Sequence, residues 1–236
     1  MVGETNKVTH AMIRFDNHAF KGMDESLKQL FALLTAMGEG AQALIALLPD
    51  ALEVADPESF ARAKAIDKTI NEDELRVDST VAAIINKFTV MGEDLRFTLA
   101  AVKIAGTLER AADKIKNCAK RLSRVAHPLD GAVKAELATA IASLSAMLPL
   151  SLAQVLDYAP EATEKLLKHG ATVQQSYRAI LLHLHAHHSS ADDETHILLV
   201  AKNLEQIADM AVEIMKTSHF IHFATKFDKR AAAANG

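Results

Sequence analysis

Two seven-residue seams, a constant 96 residues apart, constrain what this chain can fold into more than any other feature. Ala101, Ile104, Leu108, Ala111, Ile115, Cys118 and Leu122 follow alternating steps of three and four, and so do Ile197, Val200, Leu204, Ile207, Ala211, Ile214 and Ser218. Such steps put every member on one face of an α-helix and suit coiled-coil-like packing. Recurrence at a fixed offset predicts two related halves. The same offset aligns Leu108-Glu109-Arg110-Ala111-Ala112-Asp113 with Leu204-Glu205-Gln206-Ile207-Ala208-Asp209.

The breakers agree with this division. Only nine glycines and five prolines occur in 236 residues, too few for a sandwich, barrel or propeller made of short strands and turns. Pro49 and Asp56-Pro57 end a first pattern running from about Val8 to Leu48, and Asp56 is a suitable cap for a second helix reaching Phe88. Met91-Gly92 closes that turn before a third helix, from Glu93 to about Val125. His127-Pro128-Leu129-Asp130-Gly131 is the clearest break. A fourth helix reaches about Tyr158, a fifth runs from Pro160 to near His188, and a sixth from about Ala191 to Ala224, with residues 229–236 frayed. Six helices of about 30 residues would each span roughly 45 Å and pack as antiparallel bundles. The fold class is therefore all-α, two tandem three-helix bundles, with domains over residues 5–126 and 129–228.

Charge and cysteine usage narrow the function classes. The balance of 26 basic and 30 acidic residues leaves a net charge of −4 with no dense basic stripe, which argues against nucleic acid as a partner. Residues 1–7 hold no apolar signal-peptide core, and no uninterrupted apolar run reaches the 18 residues or so of a membrane span. The single Cys118 forms no internal disulfide and reads as a small buried member of its seam. These features point to a cytoplasmic protein that meets a membrane only through partners.

The acids are patterned. Glu109 and Asp113, Glu205 and Asp209, and Glu74 and Asp78 each stand four residues apart, on one helix face. Chance alone supplies roughly four such pairs from 30 acids, so the signal lies in the recurrence of a whole string. Each Glu of the repeat follows a seam residue and so borders the bundle interior. Paired carboxylates repel, and a bound cation offsets that; hard oxygen donors suit Mg, Ca, Mn or iron. The plainer alternative is ion pairing to neighbours such as Lys116 or Lys202.

The two strings resemble the paired E-x-x-x-D signature of the PhoU family, regulators of phosphate uptake. Asp67-Lys68-Thr69-Ile70-Asn71-Glu72-Asp73-Glu74 is similar to that family's second-helix segment, and Asp94-Leu95-Arg96 to its entry into the third helix. The resemblance covers about residues 10 to 225. It implies two three-helix bundles, a homodimer, and metal ions (iron, Mn, Mg or Zn) on the carboxylate faces. It further implies a non-enzymatic adaptor that represses a phosphate-sensing histidine kinase and restrains the high-affinity phosphate ABC transporter through its ATPase. Glu74, Asp78, Glu109, Asp113, Glu205 and Asp209 are the candidate ligands. In one place the chain departs from the pattern: Gly170 to Arg178, including Gln174, carries no carboxylate, and Arg178 adds a positive charge. A second metal site is therefore expected to be weaker or absent.

Other chemistries find less support. His183 and His187, in the run His183 to His188, have a chelating spacing but sit at a helix C-terminus, where partly protonated imidazoles are favoured by the dipole. No paired Glu-x-x-His, phosphate loop or nucleophile motif occurs. The alternative activity is a metal-dependent hydrolase of phosphate compounds, using the acids to hold an activated water. A third reading is a structural helical protein with solvated acids.

Overall fold

The computed structural model describes residues 10–15, 21–53, 57–186 and 190–228. Seven helices are present among them: α1 (Lys21–Ala46), α2 (Leu48–Glu53), α3 (Pro57–Lys87), α4 (Gly92–Leu122), α5 (Gly131–Leu156), α6 (Pro160–Ala186) and α7 (Ala191–Phe223). Six are long and α2 is a six-residue piece behind α1. Helices α1, α3 and α4 pack as one bundle, α5, α6 and α7 as a second, and α4 lies against α7. The all-α, two-bundle fold read from the repeat is the fold observed.

Both seams are buried along their whole length, from Ala101 to Leu122 and from Ile197 to Ser218. Burying one aliphatic side chain contributes about 1.5–3 kcal/mol, so these stripes dominate the packing. They face each other in antiparallel order, because Asp193 reaches Ala126, Lys114 reaches Gln206, and Arg96 donates to the Ile221 carbonyl. The repeat thus lies about a pseudo-twofold axis crossing α4 and α7 near their middles. Cys118 is fully buried, its Sγ 3.8 Å from the Val200 carbonyl oxygen, and burial pushes its thiol up to about 12.

Local signals explain the helix ends. Gly92 opens α4 with φ 59°, a left-handed conformation costly for a side-chain-bearing residue. Asp130 caps α5, its carboxylate accepting from the Ala132 and Val133 amides. Asp56, assigned the same task on α3, lies outside the described residues, as do His187, His188 and the 229–236 tail.

The first helix departs from expectation. It begins at Lys21 rather than near Val8. Ala11–Met12 instead forms β1, paired antiparallel with β2 (Asp157–Tyr158), into which the fourth long helix was expected to continue. Ile13 and Phe15 are buried while Met12 and Arg14 are exposed, the two-residue alternation of a strand. The Ile13 amide donates to the Leu156 carbonyl, and Phe15 packs on Phe97 at 4.9 Å between ring centroids. The leading segment thus ties the first bundle to the far end of α5.

Two stretches, 21–53 and 131–156, are long and apolar enough to cross a membrane by length and composition alone. Buried inside the fold are 44% and 50% of their most apolar windows, so these helices supply the bundle core.

Candidate functional site

The antiparallel α3–α4 pair sets four carboxylates along one seam. Glu74 stands level with Gly106 and Glu109, and Asp67 level with Asp113 and Lys116. A Cβ on Gly106 would lie 3.3 Å from the Glu74 Oε1, so the missing side chain makes room for that carboxylate. Glu109 is partly buried, and its carboxyl is pushed above the ordinary value by desolvation first, then by the charges of Glu74, Asp113 and Asp67.

Lys116 closes the lower end of this group. Its ammonium lies 2.7 Å from Asp67 Oδ2 and 2.8 Å from Asp113 Oδ1. Burial pulls that ammonium down, but its bonds to Asp113 and Asp67 hold it above its usual range. Asn117 donates to the other Asp113 oxygen at 3.0 Å. Asp67 is only 6% exposed, and its Oδ1 is buried without a hydrogen-bond partner. Such an orphaned anionic acceptor is costly. Together the four acids form an all-oxygen donor set with an uncompensated acceptor, which fits a hard divalent cation. As placed, the side chains do not converge on a point: among the described residues no three His, Cys, Asp or Glu groups are arranged to hold one ion. Binding would require Lys116 to yield part of its hold on Asp67 or Asp113.

The second half builds a different group at the equivalent place. Glu205 forms an ion pair with Lys202, one turn before it on α7. The same ammonium lies 5.3 Å from the centroid of the Tyr177 ring on α6. Lys202 is held above its usual range by its bond to Glu205 first and also by the charge of Asp209. Asp209, Gln174 and Arg178 are exposed. Asp78 is likewise exposed, one turn beyond Glu74 on α3.

The structure therefore joins three of the six candidate ligands, Glu74, Glu109 and Asp113, in one group, and adds Asp67, which lay in the Asp67-Lys68 segment of the sequence. The pairing of Asp113 with Lys116 and of Glu205 with Lys202 is the plainer alternative recognised from spacing. The contribution of Tyr177 was hidden, because nothing in the α6 string reveals that its ring faces a lysine on the next helix. At the end of α6, His183 Nε2 lies 3.0 Å from Asp130 Oδ1.

Two sequence-related three-helix bundles with carboxylates along a helix seam define the class to which this protein belongs. A family model described as "PhoU domain" matches residues 34–122, which span most of α1 through α4. The chain is 30% identical over 212 residues to a phosphate-specific transport system accessory protein PhoU homolog of Zymomonas mobilis, covering 86% of this chain and 87% of that protein. A namesake from Rhizobium meliloti is 28% identical over 212 residues, at 86% and 88% coverage. In fold, the chain matches crystal structures of PhoU from Streptococcus pneumoniae (TM-score 0.76, 19% identity, 87% of this chain and 99% of that one) and Pseudomonas aeruginosa (0.75, 20%, 84% and 97%). This chain belongs to the PhoU family.

Proposed function

We propose that this chain is a non-enzymatic accessory protein of phosphate transport, which binds a divalent cation on Asp67, Glu74, Glu109 and Asp113. The observation that carries the accessory role is near full-length similarity to relatives of that name, at 28–30% identity. The buried, unpartnered Asp67 oxygen beside the raised Glu109 carboxyl supports the cation. When bound, that ion would supply positive charge and Lewis acidity at the α3–α4 seam. Glu109 and Asp113 would hold it from α4 and Glu74 and Asp67 from α3, so that the ion ties the two helices together.

In this reading the protein works in the cytoplasm, as a homodimer, and reaches the membrane through two partners. One is the phosphate-sensing histidine kinase, which it represses; the other is the ATPase of the phosphate ABC transporter, which it restrains. The test is capture on the immobilised full-length protein of detergent-solubilised kinase and transporter ATPase, each with and without EDTA. Retention of the ATPase supports the accessory role, and retention of neither partner overturns it. Sustained turnover of phosphate esters with Mg or Mn would instead support the hydrolase alternative.

A further inference from the structure

The two halves can be aligned residue by residue in sequence and burial. Between α4 and α7 the offset is 96. Between α3 and α6 it is 103, because Ala63, Ile70, Asp73 and Val77 map onto Leu166, Val173, Ser176 and Ile180, all eight buried. Under these offsets Glu74 maps onto Tyr177, Asp67 onto Gly170, Gly106 onto Lys202 and Lys116 onto Val212. The contacts bear out the mapping independently: Glu74 is the neighbour of Gly106, and Tyr177 is the neighbour of Lys202.

We propose that Lys202 is the built-in cation of the second half: its ammonium, paired with Glu205 and facing the Tyr177 ring, takes the place of a metal ion beside the Glu205–Asp209 pair, so that this half binds none. The proposal rests on the cation reading of the first half only for what the ammonium replaces. The exchange is concerted. A side chain at Gly106 would come within 3.3 Å of the Glu74 Oε1, tighter than ordinary contact, so the Glu74 carboxylate would have to shift to admit one. Replacing Glu74 by Tyr177 removes that acid and offers an aromatic face to the ammonium, a favourable cation–π partner within about 6 Å. Replacing Asp67 by Gly170 removes the fourth acid. What remains is one fixed positive charge against Glu205 and Asp209, which repels an incoming divalent ion and already satisfies the carboxylate that would ligate it.

The chain carries its own reporter for this arrangement. It has no tryptophan and two tyrosines. Tyr177 stands at the second-half group, whereas Tyr158 is buried against His219 and Phe223. A terbium ion bound beside Glu205 would therefore emit on tyrosine excitation. The experiment is a Tb³⁺ titration of the full-length protein, following uptake by equilibrium dialysis and emission by fluorescence.

Wild-type protein is expected to take up Tb³⁺ without sensitised emission. Lys202→Glu, which puts a third carboxylate where the ammonium lies, is expected to take up one further ion per chain and to emit. That emission should disappear when Tyr177→Phe is added. Sensitised emission from wild type that survives Glu109→Gln with Asp113→Asn, and disappears with Tyr177→Phe, would overturn the proposal. So would a Lys202→Glu protein with unchanged helicity by circular dichroism that gains no ion. Wild type that binds no Tb³⁺ would overturn the first-half reading alone, while a gain in Lys202→Glu would still support the role of Lys202.

Discussion

The two halves of this protein share a backbone plan and a motif, yet they settle the same electrostatic problem differently. In the first, Lys116 pairs with Asp67 and Asp113, the charge of Arg110 offsets part of the crowding at Glu109, and an acceptor of Asp67 stays unsatisfied. In the second, Glu205 pairs with Lys202, one turn away on its own helix, while Asp209 is exposed. Repeating E-x-x-x-D does not by itself repeat the acid cluster, because the facing helix decides how much negative charge the motif shares. The ends of the α4–α7 pair diverge too. Asp193 accepts from the Ala126 amide and lies 2.7 Å from His127 Nδ1, whereas its counterpart, Phe97, is a buried ring packed at a tilt against Phe15.

The largest contrast is expected in cation content. Glu109→Ala with Asp113→Ala should remove essentially all bound divalent metal from the purified protein, measured by elemental analysis. Glu205→Ala with Asp209→Ala should leave it nearly unchanged. Unaltered metal in the first variant would break the assignment of the site to the first half.

Next in size are the seams. Leu108→Ala and Leu204→Ala delete equivalent, fully buried side chains, and each should cost about 2–5 kcal/mol by urea denaturation. Similar losses would extend the pseudo-symmetry from geometry to energy, and a large imbalance would break it.

A smaller effect is expected at Asp193. Its carboxyl is held below the ordinary value, first by the Ala126 amide and then by His127. Its contribution is present in full above the unfolded value of about 3.8 and is lost as pH falls through the lower folded value. Asp193→Asn should destabilise by about 1–2 kcal/mol at neutral pH and flatten the acid limb of the stability curve.

The smallest effect is expected at Glu109, where the sign reverses. Its carboxyl is raised, so the folded state holds the proton more tightly than the unfolded chain. Metal-free protein should lose a little stability as pH rises from the ordinary carboxylate value through the raised one. Glu109→Gln should remove that slope, and in wild type Mn²⁺ should abolish it with release of protons, seen by calorimetry in buffers of different ionisation heat.

Helix existence, order and the repeat were legible because four of the five prolines fall between helices or in a first turn, Pro149 inside α5 being the exception, and the seams keep their period over seven positions. The carboxylate pairs were legible for the same reason. Residues 10–15 were not: an alternation of two buried and two exposed positions is too short to stand against the helical pattern beside it. Lys202 and Tyr177 were not legible as a unit either. An i, i+3 lysine–glutamate pair is ordinary on any helix, and it acquires meaning only once the facing residue and the vacant position at Gly106 are known. The charge at Arg178 was visible in the string, but its side chain is exposed.

The β1–β2 pairing has a consequence for how the molecule comes apart. Residues 11–13 lie at the far end of α5, the chain then builds the first half and returns, so order along the chain and adjacency in space are interleaved. Separating the halves at His127 to Gly131 would strip Ala11–Met12 of its partner strand and Ile13 of its bond to Leu156, and expose both seams at once. The molecule should therefore melt as a single cooperative unit, and two fragments cut at that loop should be soluble only when they are refolded together.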